Sequence, residues 1–253
     1  MSDAVLVTQG LTRYFGGLAA VREVSLECRM REVHAVIGPN GAGKSTLINM
    51  LSGDLPPSSG TVFLGNRDIT GLEPHHISKL GIGRSYQKTN VFLPFTAFEN
   101  CRLAAQSRNP TSMRFFRAAS ADLEVNAVAE HALIAAGLEG RGAVPVAALS
   151  HGEQRQVEIA MTLATNPGVL LLDEPLAGMG AEESVRIVGL LKTLAADHAI
   201  LLVEHDMDAV FALADVLTVM VNGMVLESGT PEQIRSSRAV QEAYLGTEEL
   251  LHE

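Results

Sequence analysis

A glycine-rich loop between an apolar run and a helical pattern constrains this chain more than any other feature. In "HAVIGPNGAGKSTLINML", residues 38–46 fit G-x-x-x-x-G-K-[ST]. Such glycines let backbone N–H groups turn toward phosphate oxygens at the start of a helix. Because the flanks read as a strand and a helix, the motif is better explained as a P-loop than as a chance glycine turn.

The side chains of this loop indicate how a phosphate group and a cation are held. Lys44 supplies a positive charge for the β- and γ-phosphates, and the Ser45 hydroxyl suits Mg²⁺. We assign cofactor binding to the whole loop, namely Gly38, Pro39, Asn40, Gly41, Ala42, Gly43, Lys44, Ser45 and Thr46.

A second apolar run, "VLLLDEP" at residues 169–175, ends in two acids. A continuous apolar run predicts a strand buried on both faces, and ligands of open α/β sheets bind at the carboxyl ends of such strands. We expect neighbouring strands to bring this end close to the P-loop. Asp173 would then complete the Mg²⁺ shell, and Glu174 would accept a proton from water that attacks the γ-phosphate.

Two further residues, His205 and Gln87, are candidates for the site only because the P-loop and the acid pair are present. His205 follows the apolar run "AILLVEH" and suits a hydrogen bond that positions water, although a lone histidine at a strand end is more often structural. Gln87, in "GRSYQ", offers an amide suited to water or Mg²⁺, and an isolated glutamine indicates little by itself.

The stretch "LSHGEQRQVEIA" groups Ser150, His151 and Glu153 within four residues. A catalytic triad fails on geometry, because adjacent helical residues point apart and only i, i+3 or i+4 pairs meet. The spacing S-x-x-E predicts a capping box at a helix start, with Gly152 leaving room for close approach. Helix capping alone and a second phosphate-binding helix N-terminus explain the segment equally well.

The order of patterns predicts an α/β fold: a P-loop NTPase core with a mostly parallel sheet, an antiparallel β part at the N-terminus and an inserted helical subdomain. We place the core at residues 1–87 and 149–253 and the helical subdomain at 88–148, all within one domain. Asn222-Gly223 between apolar runs predicts a hairpin, and Thr230-Pro231 predicts the start of one last helix.

Composition excludes several classes of protein. The net charge of −10 argues against a broad nucleic-acid surface, so we expect no nucleic-acid partner. Cys28 and Cys101 show no metal-ligand spacing and predict reduced thiols. The start of the chain has no signal-peptide pattern, and its apolar runs fall short of the ~20 residues of a membrane helix.

Together these motifs resemble the ATP-binding subunit of ABC transporters over nearly the whole chain. The matching parts are the P-loop, a glutamine loop at Gln87, the signature "LSHGE", a Walker B strand ending in Asp173 and Glu174, and a switch histidine at His205. The resemblance implies hydrolysis of ATP with Mg²⁺ held by Ser45, Gln87 and Asp173. It also implies an aromatic residue stacked on adenine, for which Phe15 is expected and Tyr14 is the less favoured candidate.

In that family two ATPase subunits pair head to tail. The resemblance implies that Ser150, Gly152 and Glu153 contact the nucleotide held by the P-loop of a partner. Since this chain carries one P-loop and one signature, it needs a second copy of itself or a second ABC ATPase.

Four further stretches look like parts of the ATPases of branched-chain amino acid importers. They are "GIGRSYQKTNVF", "FENCRLAAQ", "EHDMDAV" and "SGTPEQIRSSRAVQEAYLG". That resemblance implies two membrane permeases, an external solute-binding protein acting indirectly, and a peripheral location on the cytoplasmic face of the inner (plasma) membrane. Related systems import urea, amides or aromatic acids. The general ABC motifs are also compatible with lipopolysaccharide export and with a soluble ABC ATPase that acts on ribosomes or DNA.

Three positions depart from the family pattern. His151 and Glu153 stand where the pattern LSGGQ has Gly and Gln, and Gly180 stands where Asp, or Asn in many relatives, is usual. The loss of a polar side chain at Gly180 predicts unequal coupling between two unlike subunits.

Overall fold

The computed structural model describes residues 4–86, 90–108 and 122–248, and it contains two sheets. The first is antiparallel, in the order β2-β1-β4-β5. Its strands are β1 (Ala4–Phe15), β2 (Leu18–Arg29), β4 (Ser59–Leu64) and β5 (Arg67–Asp68). In β2, buried residues alternate with exposed ones from Val24 onward, as expected when one face of a sheet covers a core.

The second sheet carries the order β10-β9-β3-β8-β7-β6, and all its pairings are parallel except that of the last hairpin. Its strands are β3 (Val33–Ile37), β6 (Ile82–Ser85), β7 (Val169–Asp173), β8 (Ala199–Val203), β9 (Val216–Val221) and β10 (Met224–Gly229). Every residue of β3, β7 and β8 is buried, because layers of structure cover both faces. The predicted α/β fold with a mostly parallel sheet is confirmed.

Helices cover this sheet and form a separate cluster. They are α1 (Lys44–Leu51), α2 (Pro74–Lys79), α3 (Ala97–Gln106), α4 (Leu123–Ala135), α5 (His151–Leu163), α6 (Ala181–Ala195), α7 (Met207–Leu213), α8 (Pro231–Ser236) and α9 (Arg238–Glu248). One core joins the antiparallel sheet and α1 to one face of the parallel sheet, and a second joins α6, α7 and α8 to the other face. A third core lies among α3, α4 and α5.

This third core includes Cys101, Leu133 and Val157, so α5 packs on the helices that precede it. The boundaries at 87 and 149 therefore stay a prediction. Cys28 and Cys101 are both buried free thiols, and burial raises the pKa of each to about 12. None of the helices in the described ranges has the length and apolar character needed to cross a bilayer.

The C-terminal part shows one confirmed turn and one error of prediction. Asn222 and Gly223 both have positive φ, 49° and 79°, as a tight hairpin turn requires. The single last helix predicted from Thr230 is instead α8 and α9, separated at Ser237. Ser237 is extended, its hydroxyl bonds the Glu227 carboxylate, and it accepts the Val240 N–H at the start of α9.

Candidate active site

The P-loop, the acid pair and the histidine follow three parallel strands and meet at one edge of the sheet. The P-loop follows β3, Glu174 follows β7, and His205 lies two residues after β8. The strands β3 and β7 are not direct neighbours, because β8 lies between them. The expected convergence is therefore achieved across one intervening strand.

The backbone of the P-loop requires glycine at two points. Gly38 has φ of 151°, and a Cβ there would lie 2.1 Å from the Met220 carbonyl oxygen. Gly43 has φ of 97°, and a Cβ there would lie 2.3 Å from the Ala20 carbonyl oxygen. Both distances are far below contact, so the loop packs tightly against β9 and β2. A turn from the Ala42 N–H to the Pro39 carbonyl, 3.2 Å long, shapes the loop between these glycines.

Lys44 begins α1, and its side chain lies along the loop. Its Nζ donates to the carbonyl oxygens of Gly38 at 2.6 Å and Pro39 at 3.0 Å. Burial lowers the pKa of Lys44, while the charges of Glu174 and Asp173 act to raise it. The lysine and both acids therefore share one electrostatic environment. Ser45, the next residue, is exposed.

Asp173 ends β7 as a buried carboxylate, 4% exposed. Its Oδ2 lies 3.5 Å from Arg84 Nη2, whereas its Oδ1 is buried and has no hydrogen-bond partner among the described residues. Burial raises the pKa of Asp173, and Arg84 opposes that effect. An unsatisfied buried carboxylate oxygen beside a P-loop fits a ligand of a divalent cation.

Arg84, in β6, was missed by sequence reasoning. Its guanidinium bonds Ser52 Oγ at 2.6 Å, Asn49 Oδ1 at 2.6 Å and Asp54 Oδ2 at 2.5 Å. The signal was a charged residue inside the short run "GIGRS" before Gln87. Arg84 thus joins Asp173 to the end of α1.

Glu174 and His205 lie together. His205 Nδ1 is 3.9 Å from Glu174 Oε1, and the His205 side chain is 62% exposed. Next to His205 lies Glu204, a buried acid that sequence reasoning also missed. Its carboxylate accepts the Leu176 N–H at 2.7 Å and the His205 N–H at 3.1 Å, and burial raises its pKa. Glu204 therefore ties the loop after β7 to the loop after β8.

The signature segment at the start of α5 shows both features that the sequence left open, a helix cap and a helix N-terminus that binds an anionic group. Ser150 is the N-cap of α5; its hydroxyl accepts the Glu153 N–H at 3.2 Å, and Glu153 accepts the Ser150 N–H at 2.9 Å. The same helix start holds an anion, because Glu183 Oε1 accepts from Ser150 Oγ at 3.1 Å and from Gly152 N at 3.3 Å. The capping box is present, and the N-terminus of α5 also accommodates a carboxylate.

Glu153 and Gly180, which depart from the family pattern, differ in whether the structure explains them. Burial acts to raise the pKa of Glu153, yet the Ser150 N–H and Arg141, whose Nε lies 2.8 Å away, leave it lowered. Gly180 is the N-cap of α6 with φ of −73° and ψ of 163°, angles that any residue adopts. The backbone conformation therefore does not explain why glycine stands at 180.

The remaining predicted residues lie on other elements or outside the described ranges. Phe15 is 49% exposed at the end of β1, with the Arg13 guanidinium 5.0 Å from its ring centroid. Tyr14 is similarly exposed, at 47%. The hydrogen bonds of Ser150 and Gly152 within the described ranges run to α5 and α6 and not to the P-loop. Gln87 lies outside the residues that the structure describes.

Comparison with known proteins agrees with this geometry. A family model described as "ABC transporter" matches residues 21–177, and one described as "Branched-chain amino acid ATP-binding cassette transporter" matches residues 225–249. The chain is 39% identical to the high-affinity branched-chain amino acid transport ATP-binding protein LivG of Salmonella typhimurium, over 97% of this chain and 99% of that protein. It is 37% identical to BraF of Pseudomonas aeruginosa, over 97% and 99% of the two chains.

Solved structures show the same fold. The ADP conformation of an ATP-binding cassette of an ABC transporter matches with a TM-score of 0.86 and 31% identity, over 97% of this chain and 100% of that one. A dimeric cassette in a post-hydrolysis state with ADP and Pi matches with a TM-score of 0.75 and 26% identity, over 89% and 98%. The chain therefore belongs to the ATP-binding subunits of ABC transporters, which are ATP-hydrolysing proteins.

Proposed function

We propose that this ATPase powers the import of branched-chain or related amino acids through two membrane permeases. The convergence of Lys44, Asp173, Glu174 and His205 at one sheet edge carries the hydrolytic part of the proposal. The match of residues 225–249 and the names of the relatives support the solute class.

Each residue has a role in this proposal. Lys44 and the backbone N–H groups of residues 38–46 hold the phosphates. Glu174 orients the attacking water and accepts its proton, and His205, 3.9 Å from that carboxylate, hydrogen-bonds the γ-phosphate. Gln87 completes the sensing of the γ-phosphate, and Phe15 stacks on adenine.

The donor set at the sheet edge fits Mg²⁺. Ser45, Asp173 and Gln87 would hold it, since the buried Asp173 Oδ1 otherwise lacks a partner in the described structure. When bound, Mg²⁺ supplies positive charge that stabilises the phosphate oxygens.

A head-to-tail dimer supplies the rest of each site. The N-terminus of α5 already accommodates the Glu183 carboxylate, which supports binding of a partner's γ-phosphate by Ser150 and Gly152, with Glu153 capping the helix. The partner is a second copy or a second ABC ATPase, and the dimeric cassette with ADP and Pi supports such pairing.

An exposed apolar patch marks the expected contact with the permeases. Phe92, Leu93 and Phe95 are 54%, 47% and 42% exposed, and the rings of Phe92 and Phe95 lie 5.6 Å apart. The buried Asn100 fixes this loop, accepting the Phe92 N–H at 2.8 Å and donating to its carbonyl at 3.1 Å. The patch lies close in sequence to Gln87, so the proposed permease contact and the γ-phosphate sensor are near each other along the chain. With this contact, the chain would lie peripherally on the cytoplasmic face of the membrane.

The test is purification of the tagged chain from detergent-solubilised membranes, with mass spectrometry of its partners. We expect two multi-span permeases and a second short ATPase, and ATP-dependent leucine uptake after reconstitution with the co-encoded solute-binding protein. Uptake of urea, amides or aromatic acids instead of leucine would correct the solute. Recovery of export permeases, or of ribosomal or DNA-repair proteins alone, would contradict the import function.

A further inference from the structure

One buried ion pair in α5 joins three functional segments of the chain. Arg155 and Glu158 lie one turn apart, are 3% and 4% exposed, and meet at 2.6 Å. They lie on the same helix as Ser150 and Gly152. A buried ion pair is weak evidence for stability, because desolvation offsets much of the attraction. Its contacts therefore point to another role.

Arg155 uses each of its N–H groups. Nη2 donates to the Asp173 carbonyl at 3.1 Å and the Glu174 carbonyl at 2.8 Å, and Nε donates to the Pro175 carbonyl at 3.4 Å. Nη1 donates to the Tyr86 carbonyl at 2.6 Å and to Glu158 Oε2 at 2.6 Å. A guanidinium has five N–H donors in a fixed planar fork, and all five have acceptors here. Four of these acceptors are main-chain carbonyls.

Glu158 completes the connection. Its Oε1 accepts the Tyr86 N–H at 2.9 Å, and its Oε2 accepts from Arg155. The main chain just before residues 87–89 is thus held by the same carboxylate that orients Arg155. The signature helix, the turn after β7 and the chain before Gln87 are fastened at a single point.

We propose that Arg155, oriented by Glu158, is a positioning residue that fixes the main chain of Glu174 relative to the signature helix. Glu174 has φ of 48°, a conformation that a residue with a side chain keeps only when its surroundings impose it. The Arg155 bond to the Glu174 carbonyl is one such restraint. Through it, a displacement of α5 by a phosphate at Ser150 reaches the Glu174 carboxylate. This inference rests on the proposed function, in which Glu174 is the base.

The test is Arg155→Lys in the full-length chain, because an ammonium keeps the charge but has only three donors. We expect kcat for ATP hydrolysis to fall about ten-fold, with Kd for ATP within about two-fold of the parent. Arg238→Lys is the matched control, since Arg238 forms an exposed ion pair with Glu242, and it should leave kcat unchanged.

A double-mutant cycle separates positioning from a merely structural role. In a Glu174→Gln background, Arg155→Lys should lower the residual rate less than two-fold, because its target is already removed. A parental kcat in Arg155→Lys, a repeated ten-fold loss in that background, or a matched loss of ATP binding would overturn the proposal. If Arg155→Lys does not fold by circular dichroism, Glu158→Gln replaces it. A parental rate there, or failure of both variants to fold, would likewise overturn it.

A parental rate in Glu174→Gln alone would instead refute the proposed base, independently of Arg155.

Discussion

At the scale of single residues, the site keeps groups in states that cost free energy. Glu174 occupies a left-handed backbone conformation, which costs ~1–3 kcal/mol for a residue with a side chain. Asp173 leaves a buried oxygen without a partner among the described residues. Because such features persist where the surrounding structure imposes them, they support the proposed placement of the site at the end of β7.

Glu174→Gln tests the proposed base directly. The amide preserves size and hydrogen bonding but cannot take a proton, so hydrolysis should fall about 10²–10⁴-fold while ATP binding persists. The variant should accumulate as an ATP-bound dimer, measured by size-exclusion chromatography and radiolabelled ATP retention. Hydrolysis at the parental rate in the assembled complex would show that Glu174 is not the base.

Asp173→Asn should separate stability from activity. Burial raises the pKa of Asp173, so its contribution to stability is present at low pH and is lost as the pH rises through the raised value. Without Mg²⁺, the melting temperature of the variant relative to the parent should rise as the pH rises from the ordinary aspartate pKa to the raised one. With Mg²⁺ present, the variant should lose ATP hydrolysis. Melting scans in EDTA across a pH series measure this difference. A melting temperature of the variant that falls relative to that of the parent over this pH window would contradict this prediction.

At the scale of elements, sequence patterns predicted those strands, caps and turns that are determined by residues close together in the chain. The buried runs of β7 and β8, the cap at Ser150 and the turn at Asn222-Gly223 all follow from neighbouring residues. The sequence did not show β6 or α2, because both are short and surrounded by glycine and polar residues. The contacts of Arg84 and Glu204 were also missed, since they join residues distant in sequence.

Glu183 lies where two elements meet, and it gives a prediction about the signature. Its carboxylate bonds Ser150 Oγ and Gly152 N, so a phosphate approaching these groups must displace it. Glu183→Ala should therefore lower the ATP concentration for half-maximal dimer formation about three- to ten-fold in the Glu174→Gln background, the size expected for losing one competing hydrogen-bonded group. Light scattering during ATP titration measures this shift. Glu182→Ala is the control because Glu182 is highly exposed, with its carboxylate 3.8 Å from Arg186. An unchanged or raised midpoint in Glu183→Ala would argue against competition.

At the scale of the whole molecule, one chain supplies two unlike surfaces. The sheet edge carries Lys44, Asp173 and Glu174, whereas the helix start at Ser150 forms its hydrogen bonds with α5 and α6. In the proposed function, a complete site then needs two chains. The exposed patch of Phe92, Leu93 and Phe95 offers a further surface, which in the proposed function connects the dimer to the membrane subunits. No local pattern predicts such a patch, because exposure is decided by the folded arrangement.

Phe92→Ser combined with Phe95→Ser should uncouple hydrolysis from transport. The two residues are 54% and 42% exposed, so the loss of their rings should leave folding and ATP binding of the isolated chain unchanged. Docking onto the permeases should weaken at least ten-fold, because aromatic residues in interface cores contribute most of the binding energy. Co-purification and solute uptake in proteoliposomes measure the effect. Leu123→Ser is the matched control, since Leu123 is 81% exposed at the start of α4. Equal recovery of the permeases with both variants would show that this patch is not the docking surface.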